Sequence, residues 1–230
     1  RFVGPQPMTK TDRERRGFYG RDDEIENIVS KLSSAEIRHL ILLGESGCGK
    51  TSLLLAGVIP ELEAQAIYHP IYLRFSDHPV QALRTALRAE LERAIPDMAS
   101  SPIEALRATW VQVQKPIILF IDQFEEFHIN QISEADYQAI QELVWAVAGR
   151  RAYIDAKIVF CLRYDFLHMM DVFYDENYVN KDFANGEVRI RIEPFEAKIA
   201  EEVVCKSLMR SDGGGLEWSA SLIRRVLDDL

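Results

Sequence analysis

Residues 44–51 read Gly44-Glu45-Ser46-Gly47-Cys48-Gly49-Lys50-Thr51, a complete G-x-x-x-x-G-K-T loop. The apolar run Leu40-Ile41-Leu42-Leu43 leads straight into it, and the helix-like Ser52-Leu53-Leu54-Leu55-Ala56-Gly57-Val58-Ile59 follows. Strand, glycine-rich turn and helix must therefore succeed one another without interruption. The chemistry is equally definite. Backbone N–H groups of such a loop wrap the phosphates of a nucleotide, and Gly at the bends admits a close approach that a Cβ would block. Lys50 places a cation on the β- and γ-phosphates, and the Thr51 hydroxyl is a ligand for Mg²⁺. The helix that follows aims the positive end of its dipole at the same phosphates. The expected nucleotide contacts are Gly44, Glu45, Ser46, Gly47, Cys48, Gly49, Lys50, Thr51 and Ser52.

Elsewhere the pattern alternates strands and helices. Ile25, Ile28, Val29 and Leu32 recur at helical spacing after Arg21. Strands are expected at 39–43, 71–75, 117–121, 157–162 and 187–192. Helices are expected from the loop to about Leu62, at 79–94, at 102–113 behind a capping box of Ser101 and Glu104 with Pro102 at the first position, and at 134–149. Ile117-Ile118-Leu119-Phe120-Ile121 is apolar without a break, as a strand buried on both faces requires. The stretch 171–186 has no clear period and reads as a long loop with a short helix. Pro194 ends the last strand, and helices near 196–209 and 218–230 flank Gly213-Gly214-Gly215. The fold class is α/β, with a parallel sheet covered on both sides.

At 230 residues the chain holds one large domain or one domain with a small appendage. A net charge of −9 argues against a broad nucleic-acid or anionic-membrane surface. Cys48, Cys161 and Cys205 form neither a zinc pattern nor a disulfide framework, so a reducing cytoplasm is expected. No apolar run approaches a membrane span. The chain opens on Arg1 and is read as a piece of a longer protein. The expected divisions are an approach segment, 1–17, a nucleotide-binding domain, 18–193, and an incomplete helical lid, 194–230.

A phosphate loop needs a carboxylate that holds Mg²⁺ from the far side, at the end of a buried strand. Asp122 after Ile117–Ile121 meets that need. Hydrolysis also needs a group that orients or deprotonates water. The block continues Gln123-Phe124-Glu125-Glu126-Phe127, which leaves Glu125 and Glu126 as candidates, with Glu125 favoured. Gln123 could orient a water without taking its proton, and both glutamates could instead be solvated carboxylates at a helix start. Arg163, after strand 157–162, is either a sensor of the γ-phosphate or a surface Arg paired with Asp165.

Several segments taken together resemble a known family. Phe18-Tyr19-Gly20-Arg21-Asp22-Asp23-Glu24 looks like the aromatic-Gly-Arg-x-x-Glu signature that precedes the core of STAND ATPases and their AAA+ relatives. With the phosphate loop, Asp122-Gln123-Phe124-Glu125-Glu126-Phe127, Leu162-Arg163-Tyr164-Asp165-Phe166 and the opening Phe2-Val3-Gly4-Pro5-Gln6-Pro7, it resembles the novel STAND group of bacterial signalling NTPases. The resemblance implies a three-layer P-loop fold with a five-stranded parallel sheet and the start of a helical lid, hinged at Glu193-Pro194-Phe195. It implies that Gly20 and Arg21 help seat adenine and ribose and that Asp122 with Thr51 holds Mg²⁺. Glu125 or Glu126 would position water, with Arg163 as the first sensor. Effector and sensor domains would lie in the same longer chain.

The reading that follows is an ATP- or ADP-binding, Mg²⁺-dependent switch that hydrolyses slowly and controls self-association in signalling or defence. The rivals are an AAA+ remodelling or nucleic-acid-loading ATPase, and an adaptor locked on nucleotide. No N/T-K-x-D guanine-reading motif follows the phosphate loop, which favours adenine over guanine.

Overall fold

The computed structural model describes residues 6–75, 78–89, 101–130, 132–149, 154–173 and 188–211, with side chains to 206. The sequence-based expectations for residues 2–5, 90–94, 174–187 and 212–230 lie outside these residues. Five parallel strands are described: β1 (His39–Leu43), β2 (His69–Arg74), β3 (Ile117–Asp122), β4 (Ala156–Leu162) and β5 (Arg189–Arg191). Their order is β2-β3-β4-β1-β5. β1, β3 and β4 are buried along their whole length, as their unbroken apolar runs require. β2 lies at the sheet edge, where Pro70 removes no ladder bond that a central strand would need.

The pleat sends alternate residues to two cores. Ile41, Leu43, Leu119, Ile121, Ile158, Phe160 and Leu162 pack on one face against α5 (Pro79–Ala89), α6 (Pro102–Val113) and α8 (Glu134–Ala148). Leu40, Leu42, Ile118, Phe120, Val159 and Cys161 pack on the other against α2 (Asp22–Ser33) and the helix that leaves the phosphate loop. The Ser101 hydroxyl accepts from Glu104 N–H, and Pro102 opens α6 as expected.

The helix after the loop differs from expectation in an informative way. It begins as α3 (Lys50–Ser52), passes through a π-helical turn at Leu53–Val58, and continues as α4 (Ile59–Gln65). The helix thus runs past the expected end at Leu62, and Pro60 lies inside it. Proline has no N–H, so the Ala56 carbonyl four residues back loses its α-helical donor. The backbone answers by widening, and the Ile59 N–H reaches Leu54 O, five residues back. Arg13 supplies the missing donor: its Nη1 lies 3.2 Å from Ala56 O and 3.3 Å from Gly57 O.

Arg13 belongs to α1 (Lys10–Arg16), a helix within the segment expected only to approach the core. Thr9 and Asp12 form a reciprocal capping box at its start. Six of its seven residues are charged, so periodicity gave no signal, and it is held by contacts to the helix after the phosphate loop. Met8 N–H donates to Ser52 Oγ at 3.0 Å, and Lys10 pairs with Glu63. A short α7 (Glu126–Ile129) follows β3, a 3₁₀ segment Tyr164–Phe173 follows β4, and α9 (Ala197–Ser211) follows β5.

Candidate functional site

β1 and β3 are separated only by β4, so the loop after β1 and the end of β3 open on the same edge of the sheet. Within residues 44–51, Gly47 and Gly49 take φ of +82° and +94°, conformations that a side chain rarely tolerates. Nothing stands within 4 Å of a Cβ at either position, so the glycines keep the concave side of the loop clear. Gly44 differs: a Cβ there would meet Cys48 Sγ and Ile192 O at 2.6 Å. Lys50 Nζ donates to Gly44 O at 2.7 Å and Glu45 O at 2.8 Å, which sets the ammonium across the mouth of the loop. Glu45, Ser46 and Gly47 form the exposed rim, and Ser52 accepts from Met8.

Asp122 is 1% exposed, and among the described residues its carboxylate takes three hydrogen bonds. Thr51 Oγ1 and the Tyr72 hydroxyl donate to Oδ2 at 2.6 and 2.9 Å. Gln123 N–H donates to Oδ1 at 2.9 Å. The sheet register explains the Tyr72 contact. Tyr72 stands opposite Phe120, two residues before Asp122, so period two puts Tyr72 and Asp122 on one face. Burial and the Asp122 charge push the Tyr72 phenol well above its ordinary range, so it stays a donor. Sequence reading did not find Tyr72. A hydroxyl on the sheet face that also carries Asp122 was the available signal, but it needed the pairing register.

Gln123 lies at φ +56°, a left-handed turn that carries the chain out of β3. Its Oε1 accepts from Arg74 Nε at 2.6 Å, which ties the amide to the end of β2. Phe124 and Phe127 are each 1% exposed and stack at 5.2 Å, within a cluster that includes Phe75, Phe160 and Phe173. Each such buried ring contributes roughly 1.5–3 kcal/mol. The two phenylalanines, three apart, thus anchor the turn and leave the glutamates on its other side.

Glu125 stands half-buried at the start of α7. Lys50, Asp122 and the Arg163 backbone all act on its carboxyl. Burial raises it above the usual carboxylate range; Lys50 and the Arg163 N–H pull the other way, and Asp122 adds to the rise. Its Oε2 is buried and takes no hydrogen bond among the described residues. Glu126 opens α7, and no described contact joins its carboxylate to Lys50, Thr51 or Asp122.

Arg163 follows β4, which lies between β3 and β1, so it stands beside both the loop and Asp122. Its guanidinium makes a two-point bond to Asp165, at 3.1 and 2.6 Å, and lies over Phe166. The pair is exposed to solvent.

Beside the loop lies a cavity of about 270 Å³, near the lower end for small-molecule pockets. Phe18, Tyr19, Gly47, Gly49, Pro194 and Phe195 are among the residues that line it. Gly20, at φ +79°, turns the chain there, and a Cβ on it would meet Val203 Cγ2 of α9 at 2.6 Å. Arg21 is 5% exposed at the cavity's edge.

Among solved structures, the chain is similar to the Walker-type ATPase Paby2304 of Pyrococcus abyssi, at 15% identity and a TM-score of 0.63, over 97% of this chain and 65% of that one. It is also similar to the Aeropyrum pernix Orc1 protein, solved in complex with DNA, at 16% identity and a TM-score of 0.58, over 84% of this chain and 50% of that one. The Aeropyrum pernix Orc2 protein, solved as ADPNP–ADP complexes, matches at 11% identity and a TM-score of 0.61, over 84% and 52%. The chain therefore spans 65% or less of these proteins, and the likeness is one of fold: a P-loop NTPase α/β fold. No curated protein matches the sequence. The family described as Novel STAND NTPase 1 matches residues 2–230, and the chain belongs to that family.

Proposed function

We propose that this STAND NTPase is the nucleotide-binding module of an ATP- and ADP-dependent switch that hydrolyses slowly and controls self-association. One observation carries the reading. The Thr51 hydroxyl, from the loop after β1, and the Asp122 carboxylate, at the end of β3, meet at 2.6 Å beside a loop whose mouth is spanned by Lys50. A paired hydroxyl and carboxylate next to N–H donors and a cation is the donor set a magnesium nucleotide requires.

The residues divide the work. Gly47 and Gly49 let backbone N–H groups approach the phosphates without a Cβ in the way. Lys50 exchanges the Gly44 and Glu45 carbonyls for phosphate oxygens. Mg²⁺ held through Thr51 and Asp122 supplies neutralisation of the β- and γ-phosphate charge. Glu125, close to Lys50 and raised by burial, holds or accepts the proton of the attacking water. Arg163 serves as the sensor by exchanging Asp165 for the γ-phosphate. The apolar cavity beside Phe18, Tyr19, Pro194 and Phe195 takes the base, with Gly20 and Arg21 at its edge.

A switch rather than a fast enzyme is favoured by Gln123. It stands directly after Asp122, where many P-loop ATPases carry a glutamate, and Arg74 holds its amide. Nucleotide state then biases the arrangement of the domain and α9. A cytoplasmic setting and effector and sensor domains in a longer chain complete the reading. The test is Lys50→Ala, assayed by titration with ATP and ADP in the presence of Mg²⁺. Loss of binding by at least about 100-fold is expected, since a charge-assisted contact to two phosphates is removed. Unchanged affinity would overturn the phosphate-loop assignment.

A further inference from the structure

Arg21 does more than border the cavity. Its guanidinium is held from three directions. Nη1 bonds Glu24 Oε1 at 2.6 Å. Nη2 donates to Cys48 O at 3.0 Å and to Glu193 O at 2.8 Å. The Phe195 ring lies 4.0 Å from Cζ, at cation–π distance. Cys48 is in the phosphate loop. Glu193 and Phe195 flank Pro194, where the chain leaves β5 for α9. One buried cation therefore joins the loop to the segment that carries α9.

The Cys48 contact has a consequence for the loop. In a trans peptide the C=O and the following N–H point in opposite directions. Arg21 on the Cys48 carbonyl therefore turns the Gly49 N–H away from itself. Gly49 lies at φ +94°, and a glycine there leaves the Cys48–Gly49 peptide free to flip at little cost. Arg21 removes that freedom. The other side of the bracket is equally constrained. Gly20 has no room for a Cβ against Val203, so the turn before Arg21 sits directly on α9. A buried guanidinium that loses an acceptor is costly, so movement of residues 193–195 away from Arg21 must disturb its remaining bonds.

We propose that Arg21 is a positioning residue that couples the phosphate loop to α9: it holds the Cys48–Gly49 peptide in one orientation and the 193–195 hinge in one place with the same guanidinium. The inference rests on the nucleotide-binding reading above. Lysine cannot reproduce it, because a single ammonium lacks the planar fork that reaches three acceptors and stacks on a ring.

The experiment compares the full chain with Arg21→Lys and Phe195→Leu, each with and without saturating ADP and Mg²⁺. Two quantities are read: ADP affinity by titration, and amide hydrogen exchange across 45–50 and 197–206. In the native chain ADP is expected to slow exchange in both segments. In Arg21→Lys, affinity falls at least tenfold, and at saturation 45–50 is protected while 197–206 exchanges as in the ADP-free protein. In Phe195→Leu, which takes the ring off the Arg21 guanidinium and also alters the cavity wall, protection of 197–206 drops at saturating ADP whatever the change in affinity. Native-like ADP protection of 197–206 in both variants overturns the coupling, as does absence of that protection in the native chain. Failure of the native chain to bind ADP at all removes the functional reading itself, and the coupling with it.

Discussion

Thr51 Oγ1 lies 2.6 Å from Asp122 Oδ2 although 71 positions separate them in the chain. Tyr72 donates to the same oxygen from a third element, so one helix start and two strands converge on the carboxylate. That convergence turns a nucleotide motif and a strand-end aspartate into one site.

Tyr72→Phe removes only the phenolic donor to Asp122. The ring still packs beside Phe120, so stability should fall by about 1 kcal/mol, a typical hydrogen bond. The Mg²⁺ concentration that half-saturates nucleotide binding should rise several-fold, while metal-free nucleotide binding stays as it was. Titration of fluorescent ADP with and without Mg²⁺ checks this, with Asp122→Asn as the stronger member of the series. Equal loss in both arms would mean that Tyr72 supports the fold alone.

Glu125→Gln should slow ATP hydrolysis by about 100-fold or more while ATP stays bound, the usual scale for a lost general base. Glu126→Gln should turn over within a few-fold of the native chain. The acid limb of the native rate has a definite sign. Burial raises the Glu125 carboxyl, so its basic form is lost as pH falls through a value above the ordinary 4.5. Single-turnover rates across pH 4.5–8 measure that limb. A Glu125→Gln chain with the native rate and limb would pass the role to another group.

Arg13→Met keeps most of the aliphatic stem but strips the donor from the Ala56 and Gly57 carbonyls. The expected loss is about 1–3 kcal/mol for carbonyls left without their partner, read as a lower denaturant midpoint with unchanged slope. Replacing Pro60 by Ala in the same background should recover part of it, because an N–H returns to Ala56. No recovery would mean that Arg13 acts through packing against α4 instead.

The candidate site was largely written in local sequence. The phosphate loop, Asp122 after a wholly apolar strand, and the block of Phe124 to Phe127 each carry their signal within a few residues. Of the two glutamates, Glu125 was already favoured from the sequence, and packing adds that Phe124 and Phe127 take the core side of the turn. α1 was missed because charged residues in a short helix have no apolar period. The π-helical turn at Leu53–Val58 was missed because a proline usually ends a helix. Only a donor from another element, Arg13, lets this one continue.

By itself the sequence determined what depends on neighbours along the chain: the alternation of strands and helices, the loop that takes phosphates, and the strand-end carboxylate. Tertiary structure decided what depends on register and on long-range partners. The strand order set β4 between β1 and β3 and so placed Arg163 between loop and carboxylate. The β2–β3 register brought Tyr72 to Asp122. Arg21 gained its partners from residues 27 and 172 positions away. Hydrogen bonds and burial act over a few ångströms of space, and only folding converts separation along the chain into such distances.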